Sequence, residues 1–177
     1  MTIALAPLFA ADPIKGAYLS ADGVHRYALW RVWEPAANKL TVCMLNPSTA
    51  DARADDPTIR RLIGFAKRDG YGGIMVVNLY AYRSPYPEAL SGRHYDQIVG
   101  PENNAMMEAV VQQGDRVLLG WGAAPWAAFQ GGRMRRDDVL NFLKHVEAKA
   151  VCLGRTAAGE PRHPLYVRGD QPFEEFG

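Results

Sequence analysis

The sequence predicts a three-layer α/β/α fold built on a mainly parallel four-stranded sheet, with an added N-terminal β-hairpin. Three observations carry that reading. Four short apolar runs recur, LTVCML (40–45), GIMVVNLYAY (73–82), RVLLGWG (116–122) and AVCLG (150–154), as expected of strands covered on both faces. Helix-forming segments separate them, and strands alternating with helices imply parallel pairing with helices on both faces. Upstream, YLSADGVHRYALWRVWE (18–34) carries the turn signal Asp22-Gly23 between two strand-like runs.

In the second run of that hairpin Tyr27, Leu29, Arg31 and Trp33 alternate with Ala28, Trp30 and Val32, so both faces carry bulk. After the first buried strand comes the best-marked helix. Asp56 suits an N-cap, Pro57 the first helical position, and Gly70 lies just past the end. Ile59, Leu62, Ile63 and Ala66 form its apolar stripe, leaving Arg60, Arg61, Lys67 and Arg68 on a solvated face. Residues 101–112 read as a second helix, and RRDDVLNFLKHVEA (135–148) as a third. Arg133, Arg135 and Arg136 beside Gly131-Gly132 could grip phosphates, although a surface loop is the plainer reading.

Bulk properties narrow the function. A chain of 177 residues, 48% apolar, suits one domain spanning 1–177, with an arm and hairpin over 1–39 and a core over 40–177. Twenty basic and nineteen acidic residues give a net charge of +1, unlike the strongly basic coat of a non-specific nucleic-acid binder. Cys43 and Cys152 both fall in apolar runs and read as buried thiols in a reducing compartment. The start MTIALAPLFAADP has no basic residue before its apolar run, and Pro7 interrupts it, so it is not read as a signal peptide. No stretch reaches the roughly 20 apolar residues that span a bilayer. A soluble cytoplasmic protein without a membrane partner is expected. No Walker loop, Rossmann glycine fingerprint or HExxH pair occurs, and no metal or cofactor is expected.

Ligands of open α/β sheets bind at the carboxyl ends of the strands. Three of the four runs end there in polar or aromatic residues: Asn46-Pro47, Asn78 leading into YAYRS, and Gly120-Trp121-Gly122. The fourth ends at Gly154 and feeds RTAAGEPRHPLYV, which holds His163. Two asparagines, a Gly-Trp-Gly and a histidine thus converge on one sheet edge. Each has a plainer alternative. Asn46-Pro47-Ser48-Thr49 suits a turn, Asp56 a helix cap, Asn78 a loop support, His163 an exposed site and Trp121 the core.

The pattern MLNPSTAD…DDPTIRR…GYGG…VVNLYAYRS resembles a bacterial family of uncharacterised domains over most of the chain. More distantly, MLNPS, MVVN, VLLGWG and RHPLY fall in the same order as four motifs of the uracil-DNA glycosylase superfamily. The first is similar to the Asn-Pro strand end of its mismatch-specific branch, and the last to its His-Pro motif. No extension carrying a wedge follows His-Pro here, and no cysteine pattern fits the iron–sulfur cluster of some members. Flipping a base from a duplex costs a few kcal/mol, which a wedge helps to supply. Single strands or nucleotides are therefore the expected nucleic-acid partners.

That resemblance implies a uracil-DNA-glycosylase-like fold and N-glycosidic hydrolysis. Asn46 would orient the water, with Asp51, Asp55 or Asp56 as base, because an amide cannot take a proton. Asn78 would pair with the base edge, and His163 would donate to the base oxygen as negative charge develops. Tyr71, Tyr80, Tyr82 or Trp121 could lie over the base, with Pro47, Ser48 and Arg83 completing the contacts. The expected function is a nucleobase-directed hydrolase. The alternatives are a non-catalytic nucleotide or modified-base binding module, and an enzyme on a small substrate outside nucleic acids.

Overall fold

Alternation along the strands decides the layers. In a computed structural model that describes residues 12–177, the chain forms one seven-stranded sheet. Residues 1–11, which hold most of the apolar start considered above, lie outside the described residues. The strands are β1 (Lys15–Leu19), β2 (Arg26–Val32), β3 (Lys39–Met44), β4 (Gly73–Asn78), β5 (Arg116–Leu119), β6 (Lys149–Cys152) and β7 (Glu174–Glu175), in the order β1-β2-β4-β3-β5-β6-β7. The α-helices among the described residues are α1 (Pro57–Arg68), α2 (Tyr95–Val99), α3 (Asn103–Val111) and α4 (Gly132–His145).

Successive strand residues point to opposite faces. Leu40, Val42 and Met44 of β3, with Ile74 and Val76 of β4, pack with Ile59, Leu62 and Phe65 of α1. Cys43, Met75 and Val77 turn the other way, toward Ile98 of α2, Met106 and Val110 of α3, and Val139 and Leu143 of α4. One face thus carries α1 and the other carries α2 to α4.

Four parallel strands, β4-β3-β5-β6, form the centre of the sheet. Beyond these four strands and the expected hairpin, the structure joins the hairpin to the sheet and adds an edge strand, β7. The hairpin pairs β1 with β2, and β2 then docks antiparallel on β4, with Leu29 opposite Val76. A strand with bulk on both faces suits an interior position, and β2 occupies one. Short β7 closes the opposite edge against β6.

Helix α1 starts as its sequence dictates: the Asp56 side chain accepts from Ile59 N at 2.9 Å, with Pro57 at the first position. Phe65, rather than Ile63, completes its buried stripe. Its basic row is not simply solvated. Arg61 and Arg68 lie over the Phe65 ring, and they donate to the carbonyls of Val167 and of Gly169 and Gln171, tying the C-terminal segment to the helix. The arginines of the 133–136 stretch lie in α4 rather than in a loop. Both cysteines are buried and unpaired, and burial pushes the Cys43 thiol up to about 12 and the Cys152 thiol up to about 11. No helix among the described residues is long and apolar enough to cross a membrane.

Candidate functional site

A cavity of about 610 Å³ opens at the carboxyl ends of β3, β4 and β5 and is closed on its far side by the loop after β6. Asn46, Ser48, Asp56, Asn78, Trp121 and His163 all line it. Pro47, Tyr80 and Arg83 do not. Pro47 is buried in the turn, Tyr80 packs edge-on against Phe129 in the core of the other layer, and Arg83 reaches the Gly23 carbonyl. Tyr71 and Tyr82 also lie outside the lining, and no aromatic residue from the expected set other than Trp121 reaches the cavity.

The chains leaving β3 and β4 run side by side. Leu79 N donates to Met44 O at 2.8 Å, Tyr80 N to Leu45 O at 2.9 Å, and Ser84 N to Pro47 O at 2.9 Å. Asn46 reinforces this seam, because its amide nitrogen donates to the carbonyls of Pro47, Tyr82 and Ser84 at 3.1, 3.4 and 2.9 Å. Its donors are therefore committed to the backbone. Only Oδ1 remains, and it can orient a water by accepting from it.

Asn78 ends β4 with 1% of its surface exposed, and neither its Oδ1 nor its Nδ2 has a hydrogen-bond partner among the described residues. A buried polar group left so costs about 1–3 kcal/mol. Its backbone, by contrast, is firmly held. Asn103 Nδ2 donates to the carbonyls of Asn78 at 3.1 Å and of Leu79 at 3.0 Å, and Arg135 Nε donates to Leu79 O at 2.8 Å. The fold thus fixes the residue in the cavity wall and leaves its amide, sealed from solvent, without a partner among the described residues.

His163 sits in the segment that the Gly-Trp-Gly turn receives. A Cβ on Gly120 would lie 2.9 Å from both Met44 Sδ and Pro164 Cδ, and one on Gly122 would lie 3.1 Å from His163 Cβ. Gly122 also holds φ +72°, which glycine adopts without strain. Both positions therefore need glycine for the His163-Pro164 segment to approach. His163 Nδ1 accepts from Leu165 N at 3.2 Å, which assigns the ring proton to Nε2 in the neutral form. Burial lowers the pKa of this ring, and the Asp56 charge opposes that shift in part. A neutral ring with a free Nε2–H is the result.

Trp121 belongs to the core as much as to the cavity wall. It is 2% exposed, and its indole donates to Glu160 Oε2 at 2.8 Å. Trp126 donates to Glu160 Oε1 at 3.0 Å, and Arg136 bonds the same carboxylate. Gly122 N donates to Pro161 O at 2.9 Å, so the loops after β5 and β6 are fastened together next to His163. Asp51 and Asp55 are spent elsewhere: Asp51 caps Arg53 N and Ala54 N, while Asp55 pairs with Arg31.

Sequence reasoning missed Arg26 and Arg162, which line the cavity, and the clamp residue Glu160. Arg26 had one local sign, a charge opening a strand whose two faces are apolar. Glu160 had none, because its partners lie 24 to 39 residues away. Among the described residues no group of three or more His, Cys, Asp or Glu side chains could hold a metal ion.

Comparison with known proteins gives one match. Residues 26–165 match the sequence model of a family described as a protein of unknown function (DUF1643). No curated protein and no solved structure matches the chain.

Proposed function

The chain belongs to the DUF1643 family, and we propose that it is a nucleobase-directed enzyme that hydrolyses the N-glycosidic bond of a damaged or modified base, carried by a nucleotide or a single strand. The observation that carries this reading is Asn78: a buried amide with both ends unpartnered, in a cavity shared with Asn46, Asp56 and His163. An amide presents one donor and one acceptor side by side, which matches the edge of a nucleobase. The order of the four strand-end segments, similar to that of the uracil-DNA glycosylase superfamily, supports the same reading.

In the proposed reaction Asn46 Oδ1 accepts from a water and orients it toward the anomeric carbon. Asp56 spends one oxygen on Ile59 N and keeps the other for the water's proton. The water oxygen bonds to that carbon as the C–N bond breaks, and the electron pair leaves with the base. Negative charge then develops on the base oxygen, where the neutral His163 Nε2–H donates; preorganised donors of this kind contribute several kcal/mol. The base leaves as its anion, Asp56 gives the water's proton back to solvent, the base takes a proton from solvent, and the products are a free base and a sugar hydroxyl.

The test is base release from single- and double-stranded oligonucleotides and from nucleotides carrying uracil, hypoxanthine, xanthine or hydroxymethyluracil. We expect release on single strands or nucleotides, a loss of at least about a hundredfold in His163→Ala, and no detectable turnover in Asn78→Ala. Wild-type protein that releases none of these bases overturns the hydrolase reading. One feature favours a second reading, a binding module for the same ligands: the donors of Asn46 are tied to three carbonyls. It predicts saturable binding without release.

A further inference from the structure

One charge in the cavity wall has no role in the scheme above. Arg26, at the start of β2, is 2% exposed, yet it forms no ion pair among the described residues. Its Nη1 donates to Ala50 O at 2.6 Å, which seats the guanidinium against the turn 48–50. Nε is sealed without a partner. Nη2 has no partner among the described residues either. The hydroxyls of Ser48 and Thr49, on the same turn and in the same wall, form no hydrogen bond within the described protein. A buried guanidinium with an unused Nη2, hydrogen-bonded to a turn whose half-buried Ser48 and exposed Thr49 hydroxyls line the same cavity, has the makeup of an oxyanion seat.

Burial lowers the Arg26 pKa to about 10, so the group stays charged at neutral pH. Asp56 and Asp51 offset its charge only from a distance. Arg162 adds a second positive charge to the wall, at the exposed rim. Against these two stands the single carboxylate of Asp56 in the lining. The balance favours an anionic ligand.

We propose that Arg26, Ser48 and Thr49 form a phosphate subsite, so that the cavity takes a phosphorylated nucleoside in preference to a free base or nucleoside. This rests on the nucleobase reading for what Asn78 holds, but not for the anion itself. A nucleotide bound this way would place its base at Asn78 and its phosphate at the turn 48–50.

Isothermal titration calorimetry on the whole chain tests it. The probes are deoxyuridine against deoxyuridine monophosphate, deoxyinosine against deoxyinosine monophosphate, a short single strand carrying either base, and inorganic phosphate alone. Wild type should bind each monophosphate at least about tenfold more tightly than its nucleoside, as charge-assisted hydrogen bonds to arginine allow. Arg26→Gln should erase that preference, and Arg26→Lys should keep part of it. Ser48→Ala with Thr49→Ala, which spares the buried position, should reduce it several-fold and decides the matter should Arg26→Gln fail to fold.

A single strand binding more tightly than the mononucleotide would assign the subsite to a phosphodiester. Equal affinity of wild type for nucleoside and monophosphate overturns the subsite while leaving the nucleobase reading intact. Phosphate and monophosphates bound through Arg26, with no dependence on the base or on Asn78→Ala, would sustain the subsite and sink the nucleobase reading.

Discussion

Glu160 and Asn78 are both buried polar side chains near the carboxyl ends of the strands, and they stand at opposite limits of satisfaction. Glu160 accepts from two indoles and an arginine, all from its own chain. Among the described residues, Asn78 accepts from nothing and donates to nothing through its side chain. Polar groups taken out of water are normally paired, so each state calls for a cause. A buried carboxylate with three of its roughly four acceptor sites filled offers little to a ligand, and it fastens the loops after β5 and β6. An amide held by its backbone and idle at its tip is the group that the proposed nucleobase reading assigns to a ligand.

Removing the saturated group should give the largest effect. Glu160→Ala leaves two buried indole donors without a partner, at about 1–3 kcal/mol each, and takes from Arg136 one of its two carboxylates, Asp137 remaining. Equilibrium urea unfolding should show the loss, and Glu160→Gln, which keeps an acceptor oxygen, should recover part of it. An unchanged unfolding midpoint in Glu160→Ala would mean that the clamp holds nothing together. The idle group should behave in the opposite way. Asn78→Leu replaces an unsatisfied amide with an apolar side chain of similar size, so the variant should be as stable as wild type or more stable by about 1 kcal/mol. The same variant should lose ligand binding. A clear destabilisation would show that Asn78 already has a structural partner, such as an ordered water, and the contrast with Glu160 would collapse.

The two groups also differ in how visible they are in sequence, and the reason is the range of their contacts. Asn78 ends an apolar run, and a polar residue there is a local pattern. The same holds for β3 and for α1, where Asp56 and Pro57 mark the start within two residues. Glu160 stands in a loop, and it is made structural by Trp121, Trp126 and Arg136, which only the tertiary fold supplies. Trp121 illustrates the same limit. The sequence offers it both as core, the plainer reading, and as a lid, and in the fold its indole is bonded to buried Glu160. Arg26 shows it in the sheet. Nothing local tells that β2 docks on β4 and carries that charge to the cavity wall.

His163 stands between the two limits and gives the smallest, most specific effect. Its Nδ1 is satisfied by Leu165 N, while Nε2 has no partner among the described residues. Burial holds its pKa in the folded protein below the ordinary 6.5, with Asp56 opposing. As pH falls, the unfolded chain therefore binds this proton first. Stability should be level above about pH 6.5, decline as the pH drops from there toward the folded-state value, and level again below it. Subtracting the His163→Asn profile from that of wild type, between about pH 8 and pH 5, isolates this slope from the other titrating groups. Asp56→Asn, which keeps a good helix cap, should steepen it, because the opposing charge is gone. Wild-type and His163→Asn profiles that run parallel over this range would mean that the ring is not desolvated. The neutral Nε2–H donor that the proposed chemistry requires would then lose its physical basis.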